Sequence, residues 1–322
     1  MDNLHKAPAR QWKDYLPISL KGMMMGAADA VPGVSGGTIA LMTGVYEELI
    51  HALRQFGPHT LMLLFKQGIK PAWQQVHGSF LLALFGGVLL SLLTIANAVL
   101  HWMDTVPERL WGFFFGLVLA TVFSVARHVQ QWHLRSIVAF VVGTAAAYAI
   151  TTLTPGQLVA TPLTVFVAGM IAVCAMILPG ISGSFMLLLM GMYTAMLSAI
   201  KEFQIVTLAI FASGCVIGLL SFSHLLSWMF DRFKNMTLAL MCGFLLGSLN
   251  KVWPWKHTLE TMLNRHGEQV PVVQENVFPA QYSVLTGRPD ELWIVLAMMV
   301  LGALIVAWMD HWGRKQGVDP QG

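Results

Sequence analysis

Apolar runs, each about as long as a bilayer-crossing helix, alternate with short polar loops along nearly the whole chain. Those near 79–101, 109–127, 135–153, 205–229, 236–254 and 291–310 are each predicted to be a transmembrane helix. Two other apolar stretches, 16–53 and 163–200, are interrupted. One is cut by Pro32-Gly33-Val34-Ser35-Gly36-Gly37, the other by Pro179-Gly180-Ile181-Ser182-Gly183-Ser184. Proline lacks a backbone donor and glycine weakens a helix, so both helices must stop there. An arm of about 15 residues makes roughly 22 Å of helix, short of a roughly 30 Å hydrocarbon core. Each stretch is therefore expected to be a hairpin that dips into the membrane and returns.

The two interruptions are copies, related by a shift of 147 residues. Both lead on to a Gly-aliphatic-Tyr, Gly44-Val45-Tyr46 and Gly191-Met192-Tyr193. Further along, Gly112-Phe113-Phe114-Phe115-Gly116 matches Gly243-Phe244-Leu245-Leu246-Gly247 at a shift of 131. The smaller shift implies an insertion in the first half. It is placed at 54–79, where Lys66, Lys70, Pro71, Trp73 and His77 mix with apolar residues, as at a membrane interface. The repeating unit is one hairpin plus three spans, over 16–153 and again over 163–310. A hairpin returns to its own side and three spans end on the other, so the second unit enters from the opposite face. The expected fold is an all-α polytopic membrane protein, a single membrane domain over 1–322. It holds two inverted-topology repeats, each a re-entrant broken-helix hairpin plus three transmembrane helices. Residues 255–290 form a polar extracytoplasmic loop.

Composition agrees, with 56% hydrophobic and only 11% charged residues, against about a quarter charged in a soluble domain. In this scheme thirteen of the nineteen Lys and Arg lie on the N-terminal side. The other six, Arg109, Lys201, Lys251, Lys256, Arg265 and Arg288, lie opposite. That bias predicts cytoplasmic termini. The first 15 residues carry both signs of charge and no signal-peptide cleavage pattern, which also suits a cytoplasmic start. A net charge of +3 without a basic run argues against nucleic acid. Cys174, Cys215 and Cys242 sit in apolar stretches without ligand spacing and read as packing residues; no metal or cofactor is expected. Trp102, Trp111, Trp132, Trp228, Trp253 and Trp293 fall near segment ends, as in an aromatic belt.

The candidate chemistry lies in the interruptions. The second arm of a re-entrant hairpin begins inside the membrane and points unpaired N–H groups inward. Ser35, Gly36, Gly37 and Thr38 open one such arm, and Ser182, Gly183 and Ser184 the other. With Pro32, Gly33, Pro179 and Gly180 shaping the loops, this suits an anion, phosphate above all. The plainer alternative is that small residues only let helices break and pack. Asp29, at the negative end of the first arm, is either a proton or cation coupling site or a structural cap on loop amides. Its counterpart is Met176. Lys21 either attracts a headgroup or snorkels, and His224 either relays protons or bonds a neighbouring helix. Gly33-Val34-Ser35-Gly36 also matches the Gly-x-Ser-Gly of rhomboid intramembrane proteases. Two symmetric serines with at most one base, His224, fit binding better than catalysis, so no catalytic residue is assigned.

At Ala28-Asp29-Ala30-Val31-Pro32-Gly33-Val34-Ser35-Gly36-Gly37-Thr38 and Leu178-Pro179-Gly180-Ile181-Ser182-Gly183-Ser184 the chain resembles the bacterial polyprenyl-phosphate transporter family. Gly243-Phe244-Leu245-Leu246-Gly247-Ser248 leading to Trp253-Pro254 supports the resemblance, which covers roughly 15–310. It implies a flippase of the bacterial inner membrane. Its substrate would be undecaprenyl phosphate, the carrier left on the outer leaflet after peptidoglycan and surface glycans are assembled. Its partners would be that lipid, membrane lipids and a coupling proton or sodium ion. The alternatives are an intramembrane hydrolase and a transporter of a small anion or another phospholipid.

Overall fold

The computed structural model describes residues 10–29, 35–94, 96–153, 156, 158–263 and 269–315, and most of them are helical. The first hairpin comprises α1 (Tyr15–Asp29), α2 (Gly36–Met42) and α3 (Tyr46–Arg54). Two short helices follow, α4 (Pro58–Gln67) and α5 (Ile69–Gln75), then α6 (Gly78–Thr94), α7 (Ala96–Thr105), α8 (Pro107–His128) and α9 (Leu134–Thr152). The second hairpin comprises α10 (Pro162–Ile177), α11 (Gly183–Leu189) and α12 (Tyr193–Lys201). After α13 (Ile205–Ser248) come strands β1 (Lys256–Leu263) and β2 (Gln269–Asn276), then α14 (Pro279–Thr286) and α15 (Leu292–Lys315).

The return arms are shorter than the expected 15 residues, because each breaks a second time. Gly44 (φ 73°) and Gly191 (φ 70°) take the left-handed conformation. The following amides reach back five residues, Val45 to Ala40 and Met192 to Leu187, as at a glycine-ended helix. What remains, α2 and α11, is seven residues each. The axes of α11 and α12 then diverge by 112°.

Four helices are long and apolar enough to cross a membrane, in α8, α9, α13 and α15, or up to six if each bent pair counts as one. Between the spans expected at 205–229 and 236–254 the structure has a kink in place of a longer loop: α13, 44 residues in all, is two helices meeting at Phe233, whose φ −139° and ψ 46° are not helical. The inserted α4 and α5 expose Phe65 and Ile69, apolar side chains facing out of the bundle.

Glycines let the main helices touch backbone to backbone. In α1 against α6, a methyl on Gly22 would strike the Leu84 carbonyl, and one on Gly87 the Ser19 carbonyl. In α10 against the first half of α13, Gly169 meets Phe211 and Gly214 meets Phe166 in the same way. Gly112 and Gly116 bring α8 onto Val295 and Met299 of α15, while Gly243 and Gly247 bring the second half of α13 onto Phe140 and Thr144 of α9. Such contact is how helices associate where lipid removes the hydrophobic driving force. Within the bundle Tyr46, Ile50, Leu226, Leu238, Met241 and Leu245 are essentially fully buried. Ion pairs fasten both ends of α3 to the bend of α13: Arg54 to Asp231 at 3.2 Å and Lys234 to Glu47 at 3.3 Å.

The polar insert carries the departure from an all-α fold. Strands β1 and β2 pair antiparallel, Lys256 opposite Asn276, with a register irregularity around Glu260. Thr258, Thr261, Val270, Val272 and Val273 supply the β-branched content that favours a strand. The hairpin is tied to the bundle by Trp253 and Trp255, whose indole N–H groups donate to the carbonyls of Val277 (2.9 Å) and Asp290 (2.8 Å).

Candidate functional site

In the first loop the amide end of α2 is already occupied. Ser35 caps it in an extended conformation, its Oγ accepting from Gly37 N (3.1 Å). Gly36 N donates to Asp29 Oδ1 (2.6 Å), and Thr38 N to the Ser35 carbonyl (2.9 Å). Asp29 thus stands where an external anion would, beside a glycine with no room for a Cβ. Pro32 and Gly33 lie outside the described residues.

The two loops meet. Gly180 N donates to Thr38 Oγ1 (2.9 Å) inside the protein. At φ 85°, and with Ser248 packed against its α-carbon, position 180 has no place for a side chain. The last carbonyls of a helix lack intrahelical donors. Here those of α10 receive hydroxyls from the first hairpin: Tyr46 OH donates to Ile177 O (3.0 Å) and Ser35 Oγ to Leu178 O (3.3 Å).

The second loop is open. Ser182 Oγ and Ser184 Oγ bond each other at 2.8 Å, and the amides of Gly183 and Ser184 have no partner among the described residues. Pro179 is buried and Ser184 exposed. Gly183 packs on the Ala172 carbonyl, leaving no room for a methyl. Met176, opposite number of Asp29, is half exposed.

The remaining candidates lie elsewhere. Lys21 Nζ donates to the Thr43 carbonyl (2.8 Å), so its charge sits at the far, negative end of α2. His224 is on an exposed face of α13, with Nδ1 against the Leu220 carbonyl (2.7 Å), and does not join Asp29. Tyr46, whose hydroxyl joins the two loops at Ile177, is marked in the sequence only by its place in the repeated Gly-aliphatic-Tyr.

Apolar helices of spanning length, packed around two interrupted helices whose loops touch, define a multi-pass α-helical membrane protein. The chain belongs to the undecaprenyl phosphate translocase-like family, whose profile matches residues 25–270. It is 45% identical over 302 residues to a polyprenyl-phosphate transporter of Vibrio cholerae, covering 94% of this chain and 98% of the relative. It is 31% identical over 253 residues to a polyprenyl-phosphate transporter of Staphylococcus aureus, covering 73% and 85% respectively. No solved structure matches it.

Proposed function

We propose that this protein returns undecaprenyl phosphate from the outer to the cytoplasmic leaflet of the bacterial inner membrane, driven by an ion gradient. The observation that carries the reading is the meeting of the two repeated loops at Thr38 and Gly180. The names of the two relatives supply the substrate class. Both termini lie in the cytoplasm, the two broken hairpins are re-entrant, and the two halves form inverted repeats. Supporting the last point, the middle span of each half packs on the last span of the other, through glycines at matching places in the repeat. Such halves rock about a site between them.

A phosphate headgroup is the costly part of the lipid to bury, since its charge must trade water for protein donors. Ser182 and Ser184 offer hydroxyls and two unengaged amides. The first loop becomes equivalent when Asp29 lets go of Gly36, which protonation or cation binding at its carboxylate would bring about. Ser35 Oγ is held by Gly37 and Leu178 and Ser182 Oγ by Ser184, with His224 on an outer face. Those neighbours favour binding over nucleophilic chemistry.

The test is a liposome assay with purified protein and labelled undecaprenyl phosphate under imposed proton or sodium gradients. Flipping no faster than in empty liposomes overturns the reading. Ser35→Ala and Ser182→Ala should each slow transport, whereas a hydrolase would lose all turnover from one of them. Asp29→Asn should abolish gradient-driven transport while leaving binding of the lipid measurable.

A further inference from the structure

Beneath the β-hairpin lies a cavity of about 350 Å³, walled by Thr151, Phe185, Asn250, Lys251, Lys256 and Asn276, among others. Its polar frame is connected: Asn276 Nδ2 donates to Asn250 Oδ1 (2.7 Å), and Asn250 Nδ2 to Thr151 Oγ1 (2.9 Å). Two lysines bring positive charge into it. Lys251 Nζ sits 4.3 Å from the centre of the Phe185 ring. Lys256 Nζ sits 4.5 Å from that of Trp111 and donates to the Lys251 carbonyl. Among the described residues neither forms a salt bridge. Glu275, the acidic group in the wall, is exposed on β2 opposite His257. Burial pushes the Lys256 ammonium well below its usual range, and the charge of Lys251 adds to this. An anion in the chamber would restore the Lys256 charge that burial disfavours.

The position suits a headgroup. Phe185 directly follows Ser184, and Ser248, one turn before Lys251, packs against Gly180, so the cavity adjoins the open second loop. Tyr148 and Asn250 also line a groove of about 470 Å³ between α9 and the second half of α13, walled by Phe140, Val141 and Leu246 and almost wholly apolar. A charged chamber thus adjoins an oily groove, with Tyr148 and Asn250 in the walls of both.

We propose that chamber and groove together form a docking site for an isoprenoid lipid with a phosphate head, the phosphate on Lys251 and Lys256 and the chain along the groove. This rests on the transport reading above and adds to it a site where the lipid waits beside the second loop.

The test measures binding to the full chain in nanodiscs with three probes: polyprenyl phosphate, the matching uncharged polyprenol, and inorganic phosphate. Lys251→Gln and Lys256→Gln should each weaken polyprenyl phosphate by on the order of tenfold, as for a lost charge-assisted bond, and leave polyprenol unchanged. Lys251→Arg, which keeps the charge, should retain most of the affinity and controls for misfolding. Val141→Trp, which fills the groove, should weaken polyprenyl phosphate but not inorganic phosphate. Normal lipid binding by both lysine variants overturns the chamber, and normal binding by Val141→Trp overturns the groove; either leaves the transport reading standing. Binding of inorganic phosphate without the lipid makes the chamber a free-anion site and overturns the proposal. A wild-type protein that binds no polyprenyl phosphate overturns both readings.

Discussion

The two hairpins share a motif but not a state. In the first, every residue of α2 is buried, and its amide end is closed by Asp29 and Ser35. In the second, only Leu189 of α11 is buried, and two serines face each other across an unfilled amide end. The difference traces to a few substitutions between the copies. Asp29 supplies an internal anion where Met176 cannot, and Thr38 supplies an acceptor where Phe185 cannot. One copy has become the fixed partner that holds the other in place. The other leaves its first amides without a partner among the described residues.

The largest effect should come from Gly180→Ala, which puts a side chain into a left-handed position and against Ser248. A loss of about 2–3 kcal/mol is expected, read as a lower unfolding temperature in detergent. Thr38→Val comes next. It leaves the buried Gly180 N–H without its acceptor and should cost about 1–3 kcal/mol. Ser182→Ala and Ser184→Ala, made in the open copy, should change stability by no more than about 0.5 kcal/mol while slowing transport. If they destabilise as much as Thr38→Val, the two loops are equally structural and the contrast fails.

The smallest effect concerns an ion pair that joins the start of α8 to the residue before α15. Arg109 donates twice to Glu291, at 2.6 Å each. Those bonds hold the Glu291 carboxyl below its usual range despite slight burial. Because the folded value is the lower one, the pair stabilises above the unfolded carboxylate range, and the benefit fades as pH falls through the folded value. Glu291→Gln should flatten that acid limb of the unfolding curve slightly. An acid limb unchanged by Glu291→Gln would mean that the pair adds nothing to acid stability.

Much of this architecture is legible in the chain because lipid leaves few options. Apolar length marks spanning helices, and Pro179-Gly180 inside such a run can only be a break. The recurrence of that break marks the place where the halves correspond. Other features depend on residues far apart in sequence. That Asp29 closes the amide end of α2, that Lys21 reaches the opposite end at Thr43, and that Thr38 meets Gly180 are contacts that no local pattern in the chain announces. The sequence alone determined a membrane-embedded chain with two matching interruptions, since hydrophobic length and backbone breakers act locally. Only the tertiary structure decided which interruption is sealed and which lies beside two lysines under a β-hairpin, because hydrogen-bond partners are assigned by packing across the whole bundle.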